Sequence, residues 1–125
     1  MAPTATRRAL NAAAGGRYSP PVGGTRVAAI GVVAQPFADW QKAFWDNLAT
    51  SMQLHHIPKV IAVNHRDCGA AKIAYGAEKV ANAAVETETH KASLAAFRAA
   101  VAQRQPTLKV ETALMALDGT VETFA

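Results

Sequence analysis

The 125-residue chain contains one cysteine, only 6% aromatic residues, and no acidic residue ahead of Asp39. A lone Cys permits no intrachain disulfide, so stability has to come from an ordinary core, and a reducing cytoplasm is the expected compartment. No apolar run approaches the ~20 residues that cross a bilayer, so no membrane partner is expected. There is no internal repeat, no glycine-rich phosphate loop and no legible Ser-His-Asp arrangement. A net charge of +4 and a pI near 9.6 invite a nucleic-acid reading, which the position of the charge argues against. Four of the 13 basic residues, Arg7, Arg8, Arg17 and Arg26, precede every acidic one, and the remaining nine match the nine Asp and Glu. With no basic face and no nucleic-acid motif, no nucleic-acid partner is expected.

Residues 1–24, rich in Ala, Gly, Pro and Thr, lack sustained apolar periodicity and read as a disordered or loosely attached basic tail. Their Arg-rich, acid-free composition also resembles an organelle transit peptide. A third reading is a different natural start, or a first strand lost and replaced. Residues 25–125 then form one domain, of a length that supports a single core.

Within it, residues 26–34 are a continuous apolar run suited to a strand buried on both faces. Pro36 suits a helix start, where its missing N–H costs nothing. Phe37, Trp40, Phe44, Leu48 and Met52 recur every three or four positions as one helical core stripe. His55 and His56 follow at that helix's C-terminus, a place for capping or surface imidazoles. Val60 to Val63, after Pro58, read as a second buried strand, which makes a right-handed βαβ unit with parallel strands. Residues 78–84 are Ala-rich and ambiguous. Residues 87–103 predict a long helix with Leu94, Phe97 and Val101 inward. His90 falls on the same stripe, either as a hydrogen-bonded structural His or as a third polar group near the site. Pro106 closes the helix, residues 108–117 alternate as a strand, Asp118-Gly119 signals a turn, and residues 121–124 return as a short edge strand.

The chemistry concentrates in Val60-Ile-Ala-Val-Asn-His65-Arg-Asp-Cys68-Gly69-Ala. His65 stands where a strand ends and Cys68 where a helix begins, through Ala71, Ile73, Ala74 and Tyr75. A helix start offers unpaired N–H groups and the positive end of the dipole, both of which favour a thiolate. An imidazole and a thiolate three residues apart across such a turn can face one zinc ion, at about 2.0 and 2.3 Å. Gly69 either allows close backbone approach or relieves a conformation other residues resist. The competing reading makes Cys68 a small buried hydrophobe.

Asn-His65-Arg-Asp-Cys68-Gly69-Ala70 after a hydrophobic strand resembles the His-x-x-Cys-Gly motif of the β-class carbonic anhydrases, in particular a short bacterial carbonic-anhydrase-like branch. Flanking segments carry the resemblance from about Arg26 onward: Phe44-Trp-Asp-Asn-Leu, Gln53-Leu-His-His-Ile, Glu86-Thr-Glu-Thr-His90 and Ala113-Leu-Met-Ala-Leu-Asp-Gly119. The resemblance implies an α/β fold with a small, largely parallel sheet flanked by helices, its first strand missing or replaced. It implies zinc held by His65 and Cys68, with reversible hydration of carbon dioxide to bicarbonate as the reaction. In that family a second Cys comes from an earlier Cys-x-Asp-x-Arg segment, whose Asp and Arg shape the water site. Here that segment is absent, and a symmetric homo-oligomer has no second cysteine to lend. Asp67 is then the candidate catalytic carboxylate, in a supporting or substitute-ligand role, against the alternative of a surface carboxylate.

Two functional readings follow. One is a carbonic-anhydrase-like, zinc-dependent lyase with half a metal site, weak or inactive, and homo-oligomeric. The other is a non-catalytic oligomerising or binding α/β domain in which Cys68 is structural.

Overall fold

The computed structural model describes residues 25–27 and 29–124, with side chains described from Ala29 on. The tail read over residues 1–24 lies outside the described residues. The chain is an α/β fold: β1 (Thr25–Val27), α1 (Ala29–Val33), a 3₁₀ turn (Gln35–Phe37), α2 (Ala38–His55), β2 (Lys59–His65) and α3 (Gly69–Tyr75) come first. A second 3₁₀ turn (Ala77–Val80), α4 (Ala83–Arg104), β3 (Lys109–Met115) and β4 (Val121–Phe124) complete it. The four strands lie in the order β1-β2-β3-β4. β1, β2 and β3 run parallel, with Val60 opposite Thr25 on one side and Val110 on the other, and β4 closes the edge antiparallel to β3.

The apolar run over residues 26–34 is not one strand, as the sequence suggests. Only Thr25–Val27 pair with β2, and Ala29–Val33 wind into α1. Both structures bury such a run, and α1 is enclosed on two sides. Ala29 and Val32 join a core with Leu48, Val60, Ala62, Leu94, Phe97 and Val101, while Ile30 and Ala34 join a smaller one with Phe37 and Ala71. A helix apolar all round carries no periodicity to separate it from a buried strand.

α2 is entered through Pro36, as expected. Phe37 lies in the 3₁₀ turn and is buried in the smaller core, whereas Trp40, in the first turn of α2, is not part of the buried stripe. That indole is 64% exposed and stacks on Phe37, whereas Trp45 packs against the larger core with the Arg104 guanidinium 4.6 Å from its ring centroid. His55 ends α2, and His56, left-handed at φ 52°, caps it by donating its N–H to Met52 O at 3.0 Å.

β2 buries Val60, Ile61, Ala62 and Asn64, the pattern of a strand covered on both faces. α4 begins at Ala83, a turn earlier than the apolar stripe implies, because Asn82 accepts the Val85 N–H in its side chain. Its inward stripe is polar first, Glu86, His90 and Ser93, then apolar, Leu94, Phe97 and Val101. Arg98 fastens α4 to the sheet, donating to Val110 O at 2.7 Å, Thr112 Oγ1 at 3.1 Å and Phe124 O at 3.4 Å. Gly119 at φ 88° makes the β3–β4 turn, where Asp118 Oδ1 accepts the Thr120 N–H at 2.9 Å. Among the described residues no helix is long and apolar enough to cross a membrane.

Candidate functional site

The site grows from the C-terminal end of β2, where parallel strands commonly present their chemistry. His65 is the last strand residue and Cys68 is the N-cap of α3, as the sequence predicts. Cys68 Sγ accepts the Ala71 N–H at 3.4 Å and packs, half-buried, beside Ala71 in the smaller core. That bond sets a backbone donor against the sulfur lone pair, while the packing also suits a structural thiol. His65 is exposed, and its Nδ1 lies 2.8 Å from Arg66 O. A carbonyl only accepts, so Nδ1 carries a proton, and in the neutral imidazole it is Nε2 that keeps the free lone pair.

The turn between the two donors is shaped by Asp67, at φ 55°. Gly69 has no such role: it lies in α3, its φ is not positive, and a Cβ there meets nothing within 4 Å. The expectation that Gly69 relieves backbone strain is therefore transferred to Asp67, of a residue type that tolerates the left-handed region. The Asp67 side chain is exposed, and its N–H donates to Glu86 Oε2 at 2.9 Å. Glu86, only 8% exposed, also accepts from Arg66 Nη1 at 3.1 Å through Oε1. Arg66 reaches further to Ala83 O at 3.2 Å and Thr87 Oγ1 at 2.7 Å, pinning the turn to the first two turns of α4.

Behind the turn, Asn64 Oδ1 accepts the Ala29 N–H at 2.9 Å and its Nδ2 faces His90 Nδ1 at 3.1 Å. Because Oδ1 is engaged by a backbone donor, Nδ2 is the donor to His90, and His90 is a neutral imidazole with its proton on Nε2. Burial pushes the His90 pKa below the ordinary 6.5; Glu86 opposes this, and the basic side chains of His65 and Arg66 nearby add to the lowering. His90 is fully buried, and its Nε2 and the Ser93 hydroxyl one turn on are buried without hydrogen-bond partners among the described residues. His90 thus has the structural role weighed for it. It does not join His65 and Cys68: among the described residues no group of three His, Cys, Asp or Glu side chains is placed to hold a metal ion.

Asn64, Arg66 and Glu86 carry most of this geometry, and none was marked as functional by motif or periodicity. Extending the α4 stripe one turn toward its N-terminus from His90 lands on Glu86, and that was the available signal. Separately, a groove of about 800 Å³ opens between α1, α3 and α4, lined by Val33, Pro36, Tyr75, Val85, Ser93 and Ala96 among others.

The chain is 36% identical over 95 residues to an uncharacterized protein of Rickettsia conorii, covering 76% of this chain and 51% of that protein. It is 35% identical over 95 residues to an uncharacterized protein of Rickettsia bellii, covering 76% of this chain and 58% of the relative. No family model matches the chain, and no solved structure matches it. The matched stretch thus spans little more than half the length of these curated relatives.

Proposed function

We propose that this chain is a carbonic-anhydrase-like α/β protein with a partial zinc site formed by His65 and Cys68. The observation that carries the proposal is the pairing at the end of β2: an imidazole with its Nε2 lone pair free, and a sulfur at the next helix's N-cap. The donors suit zinc in kind, nitrogen and sulfur, and fall short in number, since catalytic zinc takes three protein ligands. Bound zinc in such a site activates water for attack on carbon dioxide. With only two candidate donors no catalytic step is assigned to this chain, and this reading makes hydration by it weak or absent. Asp67, an exposed residue between His65 and Cys68 in the chain, is the carboxylate this reading assigns as a supporting group or substitute ligand. Carbon dioxide and bicarbonate are the substrate class, and a cytoplasmic homo-oligomer is the setting this reading carries with it.

The second reading, a non-catalytic oligomerising or binding domain, draws on Trp40, Leu54, Ile73 and Leu117, each at least 64% exposed, and on Cys68 packed in the smaller core. Metal analysis of the purified chain beside His65→Ala and Cys68→Ala separates the two. The partial-site reading expects substoichiometric zinc that both substitutions abolish, with little carbon dioxide hydration. Zinc content indifferent to both substitutions favours the binding domain. Stoichiometric zinc with rapid hydration would refute the claim that the site is partial.

A further inference from the structure

A helix leaves its first N–H groups without intrahelical acceptors, and at α1 the first of them belongs to the fully buried Ala29. Its acceptor is Asn64 Oδ1 on the central strand, at 2.9 Å. A backbone N–H only donates, so this bond fixes which way the Asn64 amide points. Its Nδ2 end is thereby turned to His90 Nδ1, at 3.1 Å, and can bond that nitrogen only while it carries no proton. Donor and acceptor roles therefore run in one direction through Ala29, Asn64 and His90, and the state of one end constrains the other. His90 Nε2, which holds the proton of the neutral ring, has no hydrogen-bond partner among the described residues.

An imidazolium carries a proton on both ring nitrogens, so Nδ1 then meets the Asn64 NH₂ donor to donor. Turning the amide over satisfies Nδ1 with Oδ1 and sets Nδ2 against the Ala29 N–H instead. Neither orientation serves both neighbours, and Nε2 gains nothing, since it is protonated in either state. We infer that the Asn64 amide is a proton-operated latch on α1: protonating His90 releases the Ala29 N–H, and the start of α1 with it, while the sheet stays paired. The charges acting on the ring are Glu86 on its own helix, which favours the proton, and His65 on β2 with Arg66 just beyond it, which disfavour it. α1, Ala-Ile-Gly-Val-Val, brings none. Burial is the largest influence and keeps the ring predominantly neutral above 6.5, so the latch is closed there and opens at lower pH. Val33, at the far end of α1, lines the wide groove, so the latch bears on one wall of it. The inference involves no metal and holds under either proposed reading of the chain.

The test follows the full chain by NMR as pH is lowered through and below 6.5. The His90 ring nitrogens report protonation, and amide exchange, corrected for its intrinsic dependence on pH, reports protection. The Ala29 amide, and the Ala34 amide that bonds Ile30 O at 3.0 Å, are expected to lose protection about 5- to 30-fold, as one lost buried hydrogen bond implies. The loss should share its midpoint with the His90 ring and leave the amides of β2 unchanged. Asn64→Asp puts an acceptor on both sides, so Ala29 should stay protected through a His90 titration that moves to higher pH. His90→Asn, whose side-chain oxygen stands near the place of Nδ1 and never titrates, should keep Ala29 protected throughout. Urea unfolding identifies the variants folded under the assay, and if Asn64→Asp is not, His90→Asn and the parent chain decide. A His90 titration that leaves Ala29 protected overturns the inference. So does a loss shared equally by β2, which is ordinary acid unfolding, or the same loss at Ala29 in folded His90→Asn.

Discussion

Asn64 and His90, 26 residues apart in the chain and both fully buried, meet side chain to side chain at 3.1 Å, and the same Asn64 amide accepts the N–H of Ala29. One amide therefore joins the central strand, the longest helix and the start of α1. Asn64→Ala removes both bonds and strands the Ala29 N–H and His90 Nδ1 in the interior. Leaving two buried groups unsatisfied costs about 3 kcal/mol or more. Urea unfolding should show the midpoint falling with an unchanged slope, and a loss below about 1 kcal/mol would mean that water replaces the amide.

The lowered pKa of His90 makes the fold sensitive to acid. The unfolded chain takes up this proton near the ordinary 6.5, while the native state resists it. The unfolded state therefore binds more protons in the interval below 6.5, and stability rises with pH there. His90's contribution is complete above 6.5 and is lost as pH falls below that value toward the native pKa. Imidazole resonances followed by NMR should show His90 titrating below 6.5, and His90→Gln should flatten the stability profile on the acid side.

Arg98 makes its three described hydrogen bonds to two carbonyls and a hydroxyl across β3 and β4. Arg98→Ala is expected to destabilise by about 1–3 kcal/mol. The edge strand should loosen first, since Phe124 O loses the Arg98 donor and retains the Thr112 hydroxyl at 2.8 Å. Amide exchange across Val121–Phe124 that accelerates more than exchange in β2 is the expected signature.

Two glycines separate by backbone conformation. Gly69 sits in α3 with open space where a Cβ goes, so Gly69→Ala should stabilise by about 0.5–1 kcal/mol through the unfolded state. Gly76 is held at φ 93°, so Gly76→Ala should destabilise despite equally open space. Thermal unfolding of the pair should move Tm in opposite directions.

What was legible in the sequence followed from one-dimensional regularities. The run from Val60 after Pro58 marks β2, the Leu94, Phe97, Val101 spacing marks α4, and Asp118-Gly119 marks the last turn. His65 and Cys68 lie where the strand-to-helix reading puts them. α1 was not legible, because a short segment buried on two sides has no polar residue to reveal its period. Trp40 misled because it has the right spacing in the first turn of α2 yet stacks on Phe37 with its indole 64% exposed. Glu86 and Asn64 escaped for a different reason: a buried polar residue is meaningful only through its partners, and theirs lie 19 to 35 positions away.

The placement of α1 between the two apolar clusters also has a kinetic meaning. Five residues make barely one helical turn, far short of the ~12–15 at which an isolated helix becomes even marginal. α1 therefore has no independent existence during folding and forms only when the sheet side, around Val60 and Phe97, and the turn side, around Phe37 and Ala71, are both assembled. Its residues should show φ-values near zero, with Ile30→Val speeding unfolding and leaving the folding rate almost unchanged. The Ala29 amide, whose acceptor is 35 residues along the chain, then gains its protection at the step that joins the two clusters.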